Sequence, residues 1–324
     1  MAAAKLALRL SSRRVIHAAV VGDILIGATK FAAAGLTGSS AMLSEGVHSI
    51  VDTANGFLLL YGLRRAAARP DHDHPLGYGR EIYFWSFVVA VLLFGLGAGV
   101  SLYQGILHVL SPEPVQHAAA NYVVLAISVL FDGTTWWLAL RNFKGKRRYS
   151  ELPDAVRRSK DPPAFMVLFE DSAALAGLLI AFMGIYLSVR LDLPMLDGVG
   201  SIVIGLILAA TASLLARETK SLLIGERADQ GIIDSITRLA EQIPGVAHAN
   251  GILTVHLGPQ QIVTALSLEF ADELRTPEIE AKVVELEARV RQLHPEVVAL
   301  FVKPQSLSGF KESTGRRFGI DESS

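Results

Sequence analysis

Apolar windows near twenty residues long recur along this chain, at about Val15 to Ala34, Met42 to Tyr61, Ile82 to Leu107, Tyr122 to Leu140, Ala164 to Leu187 and Leu196 to Ala216. A helix of about 20 apolar residues crosses a ~30 Å hydrocarbon core, and helices or closed barrels are the only structures whose backbone hydrogen bonds are satisfied there. The expected fold is therefore an α-helical membrane protein with six transmembrane helices. Composition agrees: 51% of the 324 residues are hydrophobic and 19% are charged, too apolar a balance for an ordinary soluble enzyme. With no cysteine in the chain, disulfides, thiolate metal sites and redox motifs are excluded. Any metal must be held by His, carboxylate, carbonyl or water. The net charge of −1 averages a sparsely charged first two thirds with a charged final third, and nucleic acid is not suggested as a partner.

The connecting segments alternate in basic charge. Lys5, Arg9, Arg13 and Arg14 precede the first window, and Arg64, Arg65, Arg69 and Arg80 follow the second. Arg141, Lys144, Lys146, Arg147, Arg148, Arg157, Arg158 and Lys160 follow the fourth, while the three other loops hold only Arg190. The positive-inside rule then places both termini in the cytoplasm. Residues 1–14 read as a short cytoplasmic segment without a cleavable signal, residues 15–216 as the membrane domain, and the expected location is a bacterial plasma membrane. After Ala216 the pattern becomes that of a cytoplasmic α+β domain over residues 217–305. A helix at Ile232 to Ile243 is followed by strands at Gly251 to His256 and Ile262 to Phe270, a helix at Pro277 to Leu293 and a strand at Val297 to Val302. That order suits a small open sheet with helices on one face. Residues 306–324 are polar and are expected to be a disordered tail.

The second window is the unusual one. It carries Glu45, His48, Asp52 and Asn55 at spacings of three, four and three, which a helix gathers into one narrow stripe. An ionisable group at membrane depth costs roughly 2.5–3.5 kcal/mol on insertion scales, so three on one face are expected to be functional. His and Asp at i and i+4 can hold a divalent cation between them. Counting from Met42 at ~1.5 Å per residue, Asp52 lies roughly 15 Å deep, near the midplane. Asp171, entered from the opposite side, lies roughly 10 Å deep, level with His48 and Asp52 within a few residues. Asp132 and Asp23 fall at similar depth, so four helices bring a carboxylate near the midplane, as an ion or proton path requires. Hydrogen-bonded glue between helices explains Asp132 or Asp23 alone equally well, but not Glu45, His48, Asp52 and Asp171 together. Lys30, toward the end of its helix, is expected to snorkel in a structural role.

The block from Gly35 to Thr53, GLTGSSAMLSEGVHSIVDT, closely resembles the first two helices of the cation diffusion facilitators, the zinc-transporter-like metal/proton antiporters. His74 to Glu81 (HPLGYGRE) is similar to that family's loop after helix two, and Asp197 to Gly205 (DGVGSIVIG) with Leu222 to Glu226 (LLIGE) to its last helix and exit. The resemblance implies a homodimer with cytoplasmic ferredoxin-like domains that exports divalent metal against inward proton flow. It also implies a four-coordinate site, two residues four apart on helix two and two more on helix five. His48 and Asp52 match the first pair and Asp171 one member of the second, but the remaining position is Val167, which cannot ligate. Glu170, turned about 100° around the helix from Asp171, is the expected replacement, with water as the alternative. One imidazole among carboxylates suits Zn2+ and also Mn2+, Fe2+ or Co2+.

Glu45, Asn55, Asp23 and Asp132 are then expected as proton relay or outer support. Asp71 and His74 match a second, loop-borne metal site of the family, but Tyr78 stands where a further His belongs, which favours a solvated loop. Arg80 and Glu226 match a charge contact near the membrane boundary. His248, His256, His294 and Lys303 do not recreate a metal sensor in the final domain, whose expected role is dimerisation. Rival classes are a passive channel, which would ignore a pH gradient, and an intramembrane metalloenzyme. The enzyme class is disfavoured because the chain has no H-E-x-x-H pattern and no Ser or Cys nucleophile evident beside His48.

Overall fold

The structure is a computed structural model and describes residues 24–115, 117–144 and 159–318. The N-terminal segment 1–14, Asp23 and most of the basic loop after the fourth window lie outside these residues. The chain divides into two compact units: one comprises the chain up to Arg65 with Glu81–Lys220, the other Ala66–Arg80 with Ser221–Ser324.

The first unit is helical. Helix α1 is described over Ile24–Thr37 and is followed by α2 at Ser40–Ala66, α3 at Glu81–Leu110, α4 at Ala118–Lys144, α5 at Pro162–Leu191 and α6 at Met195–Ile224. The helices α3 to α6 each contain a window long and apolar enough to cross a membrane. Helix α2 is 27 residues long, about 40 Å at 1.5 Å per residue, and its hydropathy is diluted by the polar stripe. Gly38, at φ 68°, closes α1 through a bond from its N–H to the Ala34 carbonyl at 2.9 Å, as a left-handed C-terminal glycine does. Helix α3 contains one π-helical stretch, Leu93–Ala98, a single wider turn within an α-helix.

Small residues let the helices approach closely. A methyl group added at Gly198 of α6 would sit 2.9 Å from the Gly105 carbonyl oxygen of α3, and one at Gly205 would sit 2.7 Å from Leu102. Helices α3 and α6 therefore meet backbone to backbone. The stripe helix α2 packs on α1 through Gly46 against the Phe31 ring and through Gly27 against Ser49. On its α5 side, Gly177 lies directly against the Glu45 carboxylate.

The second unit has the expected order, with longer elements. Helix α7 (Gln230–Glu241) leads into β1 (Val246–Gly258), β2 (Gln261–Phe270), α8 (Thr276–Leu293) and β3 (Val297–Pro304). The sheet order is β1-β2-β3, with β1 and β2 antiparallel and β2 and β3 parallel, because a tight turn joins the first pair and α8 crosses between the second. Ile236 and Ala240 of α7 and Leu286 and Val290 of α8 bury against Ile262, Leu266 and Val297 of the sheet. Asp229 caps α7 by accepting from the Gly231 N–H at 2.9 Å. The loop before α3 belongs to this unit, with Gly79 against Gly258 and Leu257.

The tail expectation is corrected. Residues Leu307–Phe318 form a helix, α9, instead of disordered chain. The Phe310 ring seats on Gly251 of β1, where no side chain intervenes. The backbone leading in is fixed by Gln305 N–H to Leu268 O at 2.9 Å and by Asn250 Nδ2 to Gln305 O at 2.7 Å.

Candidate metal centre

Burial of the α2 stripe follows from its period. Positions three and four apart share a face, and here that face turns into the bundle, with Glu45, His48 and Asn55 buried and Asp52 partly so. His48 Nε2 lies 3.3 Å from Asp52 Oδ2, yet neither ring nitrogen makes a hydrogen bond, and Asp52 Oδ1 and Asn55 Oδ1 are likewise buried without one. An unsatisfied buried polar group costs about 1–3 kcal/mol.

Helix α5 supplies the opposing carboxylates. Glu170 is buried and accepts a hydrogen bond from Asn55 Nδ2 at 3.0 Å. Glu170 and Asp171 both stand near enough to Asp52 to act on its charge. Val167, one turn before Asp171, is 39% exposed and offers no ligating atom. The structure thus joins His48 to Asp52 and Asn55 to Glu170. Among the described residues no three His, Asp or Glu side chains stand close enough together to hold one metal ion.

Lys30 corrects the sequence reading. It is 1% exposed and does not snorkel. Its Nζ lies 3.1 Å from Glu45 Oε2, 3.0 Å from Ser49 Oγ and 3.8 Å from Asp132 Oδ2, so it ties α1 to α2 and α4. A buried ammonium needs an opposite charge, and two carboxylates lie within reach inside the bundle. Glu45 and Asp132 are therefore joined to each other through Lys30.

In the second unit, Asp71 is exposed and already engaged. Its Oδ1 accepts from the His74 N–H at 2.7 Å and its Oδ2 from the Tyr78 hydroxyl at 2.5 Å, while the His74 and Tyr78 rings lie 4.2 Å apart. The Tyr78 hydroxyl, then the His74 N–H, hold the Asp71 carboxyl below its ordinary range. Arg80 Nη2 would be 3.5 Å from a side chain at Gly225, which sets the guanidinium beside the segment leading to Glu226. The histidines of the C-terminal domain stand apart: His256 Nδ1 faces Gly258 O at 3.2 Å, His294 Nε2 faces Ser235 Oγ at 2.8 Å, and His248 Nδ1 lies 4.0 Å from Glu241.

Two features escaped the sequence reading. One is the Asn55–Glu170 bond, although both residues were singled out. The other is the role of Asp197, named only as the start of a family-like block, whose carboxylate is fully buried at the start of α6 and bound to Ser39 and Ser40. The signal for it was a lone acid in the first turn of an otherwise apolar helix.

A bundle of helices long and apolar enough to cross a membrane, with a buried imidazole and carboxylates on two of them, joined to a small α+β domain, defines a polytopic membrane protein. The model of the family described as "Cation efflux transmembrane domain" matches residues 16–224. The chain belongs to this family, the cation diffusion facilitators. It is similar to the "Proton-coupled zinc antiporter SLC30A9, mitochondrial" of Xenopus laevis, at 32% identity over 72% of this chain and 42% of that protein. It is also similar to the "Metal tolerance protein C4" of Arabidopsis thaliana, at 32% identity over 67% of this chain and 48% of that protein. The chain thus spans less than half the length of these relatives. The "Cation-efflux pump FieF" of Klebsiella pneumoniae is 27% identical over 85% of this chain and 86% of its own length.

Proposed function

We propose that the protein exports zinc in exchange for protons, by alternating access to a site formed by His48 and Asp52 of α2 with Asp171 and Glu170 of α5. The observation that carries this reading is that, among the buried polar atoms of α2 without a hydrogen bond, the two His48 nitrogens, Asp52 Oδ1 and Asn55 Oδ1 lie on the helix bonded to Glu170 of α5. Metal binding requires neutral His48 and ionised carboxylates, so it expels protons, and protons arriving from the far side expel metal. Asn55 holds Glu170 while the shell is open; to ligate, Glu170 exchanges that bond for the metal. Rocking of the helices that bear the site exchanges access. The relative named as a proton-coupled zinc antiporter supports the choice of ion and of coupling.

The C-terminal domain pairs two copies in this reading, and the basic loops put both termini on the side from which metal is taken. The expected bacterial plasma membrane finds no support among relatives whose names place them in mitochondria. A second reading, export of manganese, iron or cobalt, is favoured by a donor set of one imidazole with oxygens. Uptake of Zn, Mn, Fe and Co into proteoliposomes, with and without a pH gradient, separates the two. Zinc flux that follows the gradient and collapses in Glu170→Ala supports the first. A preference for manganese or iron with Glu170 dispensable supports a water-completed site, and flux indifferent to the gradient contradicts antiport.

A further inference from the structure

Just ahead of the stripe, the N-terminus of α2 is gripped by a helix other than its own. Asp197 in the first turn of α6 is 0% exposed. Its Oδ1 accepts from Ser39 Oγ at 2.8 Å. Its Oδ2 accepts from the Ser40 N–H at 2.6 Å, the Ser40 hydroxyl at 3.0 Å and the Ala41 N–H at 3.3 Å. One turn further along α6, Ser201 Oγ donates to Ser40 Oγ at 2.9 Å. The first N–H groups of a helix have no partner within it; those of Ser40 and Ala41 find theirs on α6.

Helix α3 completes the joint. His108, near its end, places Nε2 3.9 Å from Asp197 Oδ2, and that nitrogen is buried without a hydrogen bond. Because α3 and α6 meet backbone to backbone at Gly105 and Gly198, His108 and Asp197 belong to one rigid pair of helices, and the joint links that pair to the helix bearing His48 and Asp52.

We propose that this joint is a latch that opens in each transport cycle, and that protonation of His108 releases it. The proposal rests on the alternating-access reading above. Asp197 Oδ2 already accepts three neutral donors. An imidazolium 3.9 Å away offers a charge-assisted bond, roughly twice as strong as a neutral one, and draws the carboxylate from Ser40 and Ala41. Acid at this end of the bundle thereby frees α2 without touching a metal ligand. Among the described residues, Asp197 is the ionisable group within ion-pair distance of His108. Ser39 and Ser40 at the start of α2 and Gly184 of α5 lie against Asp197, α1 and α4 present Thr37 and Asn121 bonded to each other at 2.9 Å, and Glu113 and His117 on the following link are exposed.

The chain has no cysteine, so Ser40→Cys with Ser201→Cys creates a single disulfide pair across the latch. In proteoliposomes, with cross-linking verified by mass spectrometry, zinc flux is expected to vanish on oxidation and return on reduction. Undiminished flux through cross-linked protein overturns the latch. His108→Gln is expected to keep flux at neutral pH and to lose part of its stimulation by acid on the release side, the part owed to the metal ligands remaining; an unchanged pH profile overturns the role of His108. If the cysteine pair is inactive even when reduced, Asp197→Asn decides, with the same partial loss of the acid response expected and a full wild-type response contradictory. Wild-type protein with no gradient-driven zinc flux at all is a different failure, that of the antiport reading itself.

Discussion

Glu45 and His48 sit one turn apart on the same face of α2, and their surroundings are opposite in kind. Glu45 has a lysine: Lys30 bridges it to Ser49 and Asp132 within 3.8 Å. His48 has an aspartate 3.3 Å away and no hydrogen bond on either nitrogen. Both clusters bear the same cost of burying charge in a membrane. The first offsets it with an internal counter-ion, although Glu45 Oε1 lacks a hydrogen bond, while the second has no cation of its own, which in the proposed reading leaves it to the transported metal. A buried acid with its own lysine reads as architecture, and a buried acid with an unsatisfied imidazole reads as a site.

Breaking the open cluster has the largest expected effect. His48→Ala or Asp52→Ala should take metal flux to background while gel filtration and thermal melting stay near wild type, and a variant with undiminished flux breaks the comparison. Breaking the closed cluster should do the reverse. Lys30→Met strands Glu45 in the bundle and is expected to cost about 3–5 kcal/mol of stability, read as a lower melting temperature in detergent. The double variant Lys30→Met with Glu45→Gln should regain much of that loss, and failure to do so would mean that Lys30 does more than compensate Glu45.

Asn55→Ala sharpens the boundary between the two clusters, because it releases Glu170 without removing a ligand. Because Glu170 gives up this bond to ligate, equilibrium zinc binding should tighten by up to about tenfold in Asn55→Ala while the protein stays folded, and weaker binding would mean that Asn55 supports the ligating geometry. The smallest effect is expected outside the bundle, at Asp71. Its carboxyl is held below its ordinary range first by the Tyr78 hydroxyl, so its contribution to loop order is present above the unfolded value and is lost as pH falls through the lower folded one. Tyr78→Phe should move that loss to higher pH, seen in the chemical shifts of the loop, with transport unchanged.

Much of this was legible in the sequence because two periods carry it. Apolar windows located the helices that bury the stripe, and the three-four-three spacing of Glu45, His48, Asp52 and Asn55 put them on one face. The strand and helix order of the C-terminal domain followed from its alternation. Composition misled where a few anchoring residues decide. The segment from Leu307 is polar overall, yet Phe310 against Gly251 is enough to dock it as a helix. Lys30 was assigned by its distance from the helix end, although the nearest partner decides where an ammonium settles, and that partner lies on another helix. The serines that bond Asp197 are more than 150 positions away in the chain, beyond any local pattern.

Equilibrium binding of zinc to the purified full-length protein, with proton release recorded in the same titration, tests the reading of the open cluster most directly. Wild-type protein should bind zinc with release of protons, and the variant carrying both His48→Ala and Asp52→Ala should lose that proton-releasing component while Asp71→Ala keeps it. If the double variant binds zinc and releases protons as wild type does, the metal is held elsewhere and the unsatisfied face of α2 is not the site.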